Sequence, residues 1–155
     1  MAREVERKFL LANESWRTEV TRSVPMRQGY LAGSARASIR VRIAGTEAHL
    51  NIKSARLGVE RDEFEYPLPI DDAEKILSTL AVGPLLAKTR HYLRHADHVW
   101  EIDEFHAENA GLIVAEIELD EPDEGFARPS WLGREVSDDP RYYNVNLVTH
   151  PYSRW

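Results

Sequence analysis

A chain of 155 residues, 43% hydrophobic and 30% charged, has the size and balance of one globular domain, expected to span 1–155. The lack of cysteine excludes disulfides, thiolate metal sites and a thiol nucleophile, so any metal must be held by oxygen or imidazole. A net charge of −6, from 20 Lys+Arg and 26 Asp+Glu, argues against a general nucleic-acid binder, and no apolar run approaches a membrane span; a cytoplasmic protein is expected.

Most of the chain alternates with period 2, as strands do, between turn residues. Strands are predicted at Arg3 to Leu11, Val24 to Ala32, Ser38 to Ala44, Ala48 to Ser54 and Val59 to Tyr66, the last ended by Pro67 and Pro69. Asp71 to Leu80 then takes helical spacing, with acids in its first turn where the helix dipole favours them. Three more strands follow at Leu86 to Arg94, Val99 to Phe105 and Leu112 to Asp120. Beyond Pro122 the pattern becomes irregular, with a short helical turn expected within Phe126 to Gly133 and a last helix at Asp139 to Val148. Eight strands joined mostly by short turns predict a mainly β (α+β) fold, an antiparallel sheet closed into a barrel so that it leaves no exposed edges, with a few peripheral helices.

The charges fall on these strands in a pattern. Six strands carry two ionic residues of like sign at i and i+2, on one face and about 6.6 Å apart. The acidic pairs are Glu4/Glu6, Glu63/Glu65, Glu101/Asp103 and Glu116/Glu118; the basic pairs are Arg40/Arg42 and Lys88/Arg90, joined by Lys8 and Lys53. The intervening positions, Val5, Val41, Phe64, Ile102 and Ile117, are apolar. A solvated sheet face usually intersperses signs, because like charges side by side repel. Like-sign clusters make sense when a ligand of opposite charge binds between them. Either the charged face meets solvent, as in a half-buried antiparallel sheet, or it lines the inside of an eight-stranded barrel, whose lumen has room for side chains or one small ligand. Arg and Lys suit phosphate, and clustered carboxylates suit Mg²⁺ or Mn²⁺, so both together point to a metal-complexed polyphosphate. A nucleic-acid duplex cannot enter so small a lumen. His91, His95 and His98 lie on a strand and its turn and are not assigned a metal; Trp16, Trp100, Trp131 and Trp155 are read as packing anchors.

The segments Glu4-Val5-Glu6-Arg7-Lys8, Arg27-Gln28-Gly29-Tyr30-Leu31, Arg40-Val41-Arg42, Lys53-Ser54, Glu63-Phe64-Glu65-Tyr66, Lys88-Thr89-Arg90, Glu101-Ile102-Asp103, Glu116-Ile117-Glu118 and Val136 to Asn144 follow one another in an order that resembles the CYTH superfamily, the triphosphate tunnel metalloenzymes. The resemblance implies an eight-stranded tunnel, dependence on a divalent metal and action on a small-molecule triphosphate, and the chain looks most like the small bacterial inorganic tripolyphosphatases. On that basis Lys8, Arg40, Arg42, Lys53, Lys88 and Arg90 are the expected substrate ligands. Glu4, Glu6, Glu116 and Glu118 are expected to hold a first metal, and Glu63, Glu65 and Asp103 a second, with Glu101 as easily a rim residue. Lys8 and Tyr30 are the candidates for proton handling, Lys8 because a lysine among cations loses proton affinity. One departure is visible. Many such members carry a lysine where this chain has Tyr143. A class IV-type adenylyl cyclase, a thiamine or nucleoside triphosphatase, or a non-catalytic polyphosphate-binding module would use the same lumen, and these residues do not separate them.

Overall fold

The computed structural model describes residues 2–155. Nine strands form one antiparallel sheet: β1 (Arg3–Leu11), β2 (Arg22–Gly33), β3 (Ala37–Ala44), β4 (Glu47–Ser54), β5 (Glu60–Leu68), β6 (Val82–His95), β7 (His98–Phe105), β8 (Ile113–Leu119) and β9 (Leu132–Glu135). Their order is β5-β4-β3-β2-β6-β7-β8-β1, and a β1–β5 pairing of Arg3, Glu4 and Val5 with Asp62, Arg61 and Glu60 closes the ring of eight. The two α-helices are α1 (Ile70–Thr79) and α2 (Asn144–Thr149). No helix among the described residues is long and apolar enough to cross a membrane.

The barrel is inverted relative to an ordinary soluble protein, with its charges inside and its apolar side chains turned out. That arrangement is stable only if other parts of the chain cover the outer wall. On β1, β7 and β8 the outward residues Val5, Phe9, Trp100, Ile102, Ala115 and Ile117 are covered by Trp16 and by Trp131, all at most 2% exposed. On β3 and β4, Val41, Ile43 and Ala48 pack against Ala73 and Leu77 of α1. At one end the lumen itself turns apolar. There Leu147 and Val148 of α2, with Tyr142, pack among Tyr30, Leu86, Phe105 and Val114, so that the C-terminal segment plugs that end. Of the four tryptophans Trp16, Trp100 and Trp131 are buried anchors, whereas Trp155 remains 38% exposed and makes edge-to-face contacts with Tyr142 and Tyr152.

Two segments differ from the sequence expectation. The segment Phe126 to Gly133 holds one hydrogen-bonded turn, Leu132 N–H to the Pro129 carbonyl, and no helix; Leu132–Glu135 then adds β9 to the edge of β1 beyond its pairing with β5. The cause is Trp131, sunk into the outer core, and Gly133, whose missing side chain lets the backbones meet: a Cβ there would lie 2.7 Å from the Leu10 carbonyl oxygen. Gly133→Ala should therefore push β9 away from β1 and cost about 2 kcal/mol in urea unfolding, the range for overpacking a close contact; an unchanged midpoint would show that β9 is not held by this approach. The expected helix at Asp139 to Val148 is broken into a 3₁₀ turn, Pro140–Tyr142, and α2, because Tyr143 between them is extended at φ −74° and ψ 133°. Its hydroxyl is tied elsewhere, donating to the Ser137 carbonyl at 2.7 Å and accepting from the Gly58 N–H at 3.2 Å.

Candidate active site in the barrel lumen

Strand order arranges the interior charges. In the ring of eight, β2 stands opposite β1. The strands flanking β2 are β3, which brings Arg40 and Arg42, and β6, which brings Lys88 and Arg90. The strands flanking β1 are β8, with Glu116 and Glu118, and β5, with Glu63 and Glu65, while β1 adds Glu4, Glu6 and Lys8. A basic wall thus faces an acidic wall across a cavity of about 310 Å³. Every residue of the expected site except Asp103 lines this cavity, including Glu101 and Tyr30.

Asp103 is fully buried behind the cations. Its two oxygens accept from Lys88 Nζ at 2.8 Å, Arg90 Nε at 2.8 Å and Arg90 Nη2 at 2.9 Å, and Arg90 and Lys88 hold its carboxyl below the usual range. The expectation that Asp103 binds a second metal is corrected accordingly: Asp103 does not line the cavity, and both its oxygens accept from Lys88 and Arg90, two of the expected substrate ligands. Arg90 Nη1 also donates to Glu101 at 2.6 Å. Even so, burial together with Glu116, Glu6 and Asp103 outweighs that bond and pushes the Glu101 carboxyl up to about 7.

The reason given for Lys8 as a base is also corrected. Lys8 does not sit among cations; its ammonium lies 3.3 Å from both Glu6 and Glu116, whose charges more than offset burial and raise its proton affinity. The lysine that loses affinity is Lys88, pushed down to about 7 by burial, helped by Arg90 and Arg40 and opposed by Asp103. Arg42 is likewise lowered, to about 10, by burial and by Arg40 and Arg90, and its Nε is buried without a partner. Such an orphaned guanidinium donor is costly in a closed protein and useful where an anion arrives.

The acidic wall has the complementary imbalance. Glu6 and Glu118 face each other directly across the β1–β8 ladder, an unfavourable like-charge pair. Glu118 has no ion-pair partner among the described residues, and burial with Glu4, Glu6 and Glu63 raises its carboxyl. The other acids pair with Lys8, Lys53, Arg42, Arg61 or Arg90, and among the described residues no three acidic or imidazole groups form a closed ligand set. An all-oxygen donor set with surplus negative charge fits a hard divalent cation.

Six lining residues were not singled out from the sequence as site residues: Ser38, Arg61, Tyr92, Asn144, Val145 and Tyr143, the last noted only as a departure from the family. Arg61 stands two positions before Glu63, so alternation along β5 carried the signal. Asn144, whose Oδ1 accepts from Lys88 at 3.1 Å, reaches the lumen only because the plug folds back into it.

A family model, the CYTH domain, matches residues 2–152. The chain belongs to the CYTH domain family. Among relatives of this CYTH chain, an inorganic triphosphatase of Acetivibrio thermocellus is 39% identical over 155 residues, covering 100% of this chain and 99% of that one. An inorganic triphosphatase of Nitrosomonas europaea is 34% identical over 149 residues, 94% of this chain and 96% of its own. The crystal structure of the inorganic triphosphatase NE1496 superposes with a TM-score of 0.67 at 31% identity, over 94% of this chain and 93% of that one. The family membership expected from the motifs and the closed eight-stranded barrel are both found, with β9 as an addition.

Proposed function

We propose that this CYTH protein hydrolyses inorganic tripolyphosphate to pyrophosphate and phosphate in its lumen, with Mg²⁺ or Mn²⁺ as the metal. The observation that carries the reading is the facing of a basic wall, with an unpartnered buried donor on Arg42, and an over-charged acidic wall across one small cavity, together with full-length likeness to two inorganic triphosphatases.

In this mechanism Arg40, Arg42, Lys53, Lys88 and Arg90 bind the phosphates and neutralise charge as it develops, which is most of what phosphoryl transfer requires of a protein. Glu4, Glu6, Glu116 and Glu118 would hold the first ion and Glu63 with Glu65 a second; a bound metal would supply positive charge and acidify water. Asp103 and Asn144 fix the Lys88 ammonium, and Asp103 fixes the Arg90 guanidinium in a bidentate grip, so neither cation must be ordered when substrate enters. Lys88 is the ammonium placed to exchange a proton with the phosphates near neutral pH, a role that passes to it from Lys8; Tyr30 remains in reach of the lumen as a hydroxyl donor. Water attacks the terminal phosphorus, the anhydride P–O bond breaks and pyrophosphate leaves. The cysteine-free chain agrees with a cytoplasmic setting.

Phosphate release from a panel of tripolyphosphate, pyrophosphate, ATP and thiamine triphosphate tests the substrate, with the fastest turnover expected on tripolyphosphate; a preference for ATP would overturn this reading. A second test needs no turnover. With metal chelated, tripolyphosphate should raise the melting temperature by several degrees, since binding to the native state alone contributes about 2.7 kcal/mol at a hundredfold excess over Kd. Arg42→Ala should shrink that shift while leaving the free protein at least as stable, because it removes an unpartnered buried donor. A shift equal to that given by sulfate at the same ionic strength would refute the lumen site.

A further inference from the structure

The lysines of the lumen, and Arg90, are held by acidic or amide groups: Lys8 by Glu6 and Glu116, Lys53 by Glu4 and Glu63, Lys88 by Asp103 and Asn144, Arg90 by Asp103 and Glu101. Arg61 differs. Its side chain is 15% exposed and lines the cavity, yet among the described residues its guanidinium makes no hydrogen bond; its nearest charge is Glu4, 3.6 Å from Nε. Besides that one ion pair, it rests against a ring. The guanidinium carbon lies 5.3 Å from the centroid of Tyr143, within cation–π range.

Tyr143 is itself fixed at three points. Its hydroxyl donates to Ser137 and accepts from Gly58, a residue at φ +108° that heads into β5, and the backbone of Asn144 continues from it into the plug. Ser137 in turn receives the backbone N–H of Lys8 on its hydroxyl at 3.0 Å. Tyr143 therefore ties the plug, the start of β5 and the middle of β1 together beneath one guanidinium. A ring contact consumes none of the guanidinium N–H donors, so the two terminal nitrogens stay available to a ligand.

Resting on the triphosphatase reading, we infer that Arg61 is a substrate-binding residue that clamps the triphosphate from the acidic side of the lumen, and that Tyr143 is the positioning residue that presents it. Arg61 lies on β5, beside β1, and so reaches the polyanion from the acidic wall while Arg40 and Arg42 reach it from the basic wall. The donors needed for a bidentate phosphate contact are available without breaking a protein hydrogen bond, unlike those of Arg90.

The test is a double-mutant cycle on the full chain, read as tripolyphosphate dissociation constant by calorimetry with metal chelated, and as KM and kcat with metal present. Chelation separates loss of a phosphate contact from any effect through the neighbouring Glu4. Arg61→Ala should weaken metal-free binding about tenfold, the loss of one or two charge-assisted hydrogen bonds, and raise KM by a similar factor with a smaller change in kcat. Arg61→Lys should recover part of it. Tyr143→Leu should weaken binding several-fold in the Arg61 background and not at all in the Arg61→Ala background, since a residue that acts only through another adds nothing once that partner is gone. If Tyr143→Leu gives no cooperative melt, Tyr143→Phe, which keeps the ring and loses the hydroxyl, takes its place. Wild-type-like binding by Arg61→Ala would overturn the clamp, and equal losses from Tyr143→Leu in both backgrounds would overturn the positioning role. Failure of the wild type to hydrolyse tripolyphosphate would refute the function while leaving the binding cycle able to decide for or against Arg61.

Discussion

Asp103→Ala should lower the unfolding free energy by about 3–5 kcal/mol, the range for removing one partner of a buried charge pair and leaving the other uncompensated. The carboxylate is wholly buried and takes three donors from Lys88 and Arg90, so its loss abandons two cations on adjacent positions of one strand face. Arg40 across β2 adds to the repulsion, as its effect on Lys88 indicates. Lys88 can shed its proton to limit the damage, and Arg90 cannot. Urea unfolding monitored by tryptophan fluorescence measures the loss, and saturating tripolyphosphate should restore part of it by supplying replacement negative charge. A variant as stable as wild type would mean that water already screens these cations, and Asp103 would lose its assigned role as their anchor.

Glu118→Gln should separate activity from stability in the opposite sense. The substitution keeps the shape of the side chain and removes one charge from a wall where Glu118 opposes Glu6 and feels Glu4 and Glu63. Tripolyphosphatase activity should fall roughly a hundredfold, and the Mg²⁺ or Mn²⁺ concentration for half-maximal rate should rise about tenfold or more, as expected when a metal ligand or its support is removed. The metal-free protein should melt at the same temperature or higher, because like-charge repulsion is relieved. Activity lost together with stability would point to a structural role, and an unchanged metal requirement would move the ion away from Glu118. Glu116→Gln makes the contrast: Glu116 holds Lys8 at 3.3 Å and stands 3.7 Å from Arg90, so that variant should lose both activity and stability.

The eight barrel strands were legible in the sequence because a barrel with a charged inside and an apolar outside keeps period 2 on every wall. The like-sign pairs then named most of the lumen, since each pair belongs to one strand and needs no tertiary information. Arg61 was written in the same alternation, immediately before Glu63 and Glu65. Where the contact was non-local, the sequence was silent. Leu132–Glu135 looks like neither strand nor helix by period, and became β9 because Trp131 finds a pocket on the outer wall and Gly133 can lie against Leu10, far away in the chain. Asp103 carries the same spacing as a metal-ligand pair, but strand order puts it beside Lys88 and Arg90 and spends its lone pairs there. The proton affinity of Lys8 was misjudged for a similar reason: its neighbours are set by the β1–β8 register, which places Glu116 opposite it, and not by the composition of the lumen. The sequence determined which residues face the lumen, because side-chain direction is a local property of the strand. Which of them stand free to meet a ligand, and which are consumed in holding one another, was decided only by tertiary structure, because pairing depends on distances between strands that chain order does not contain.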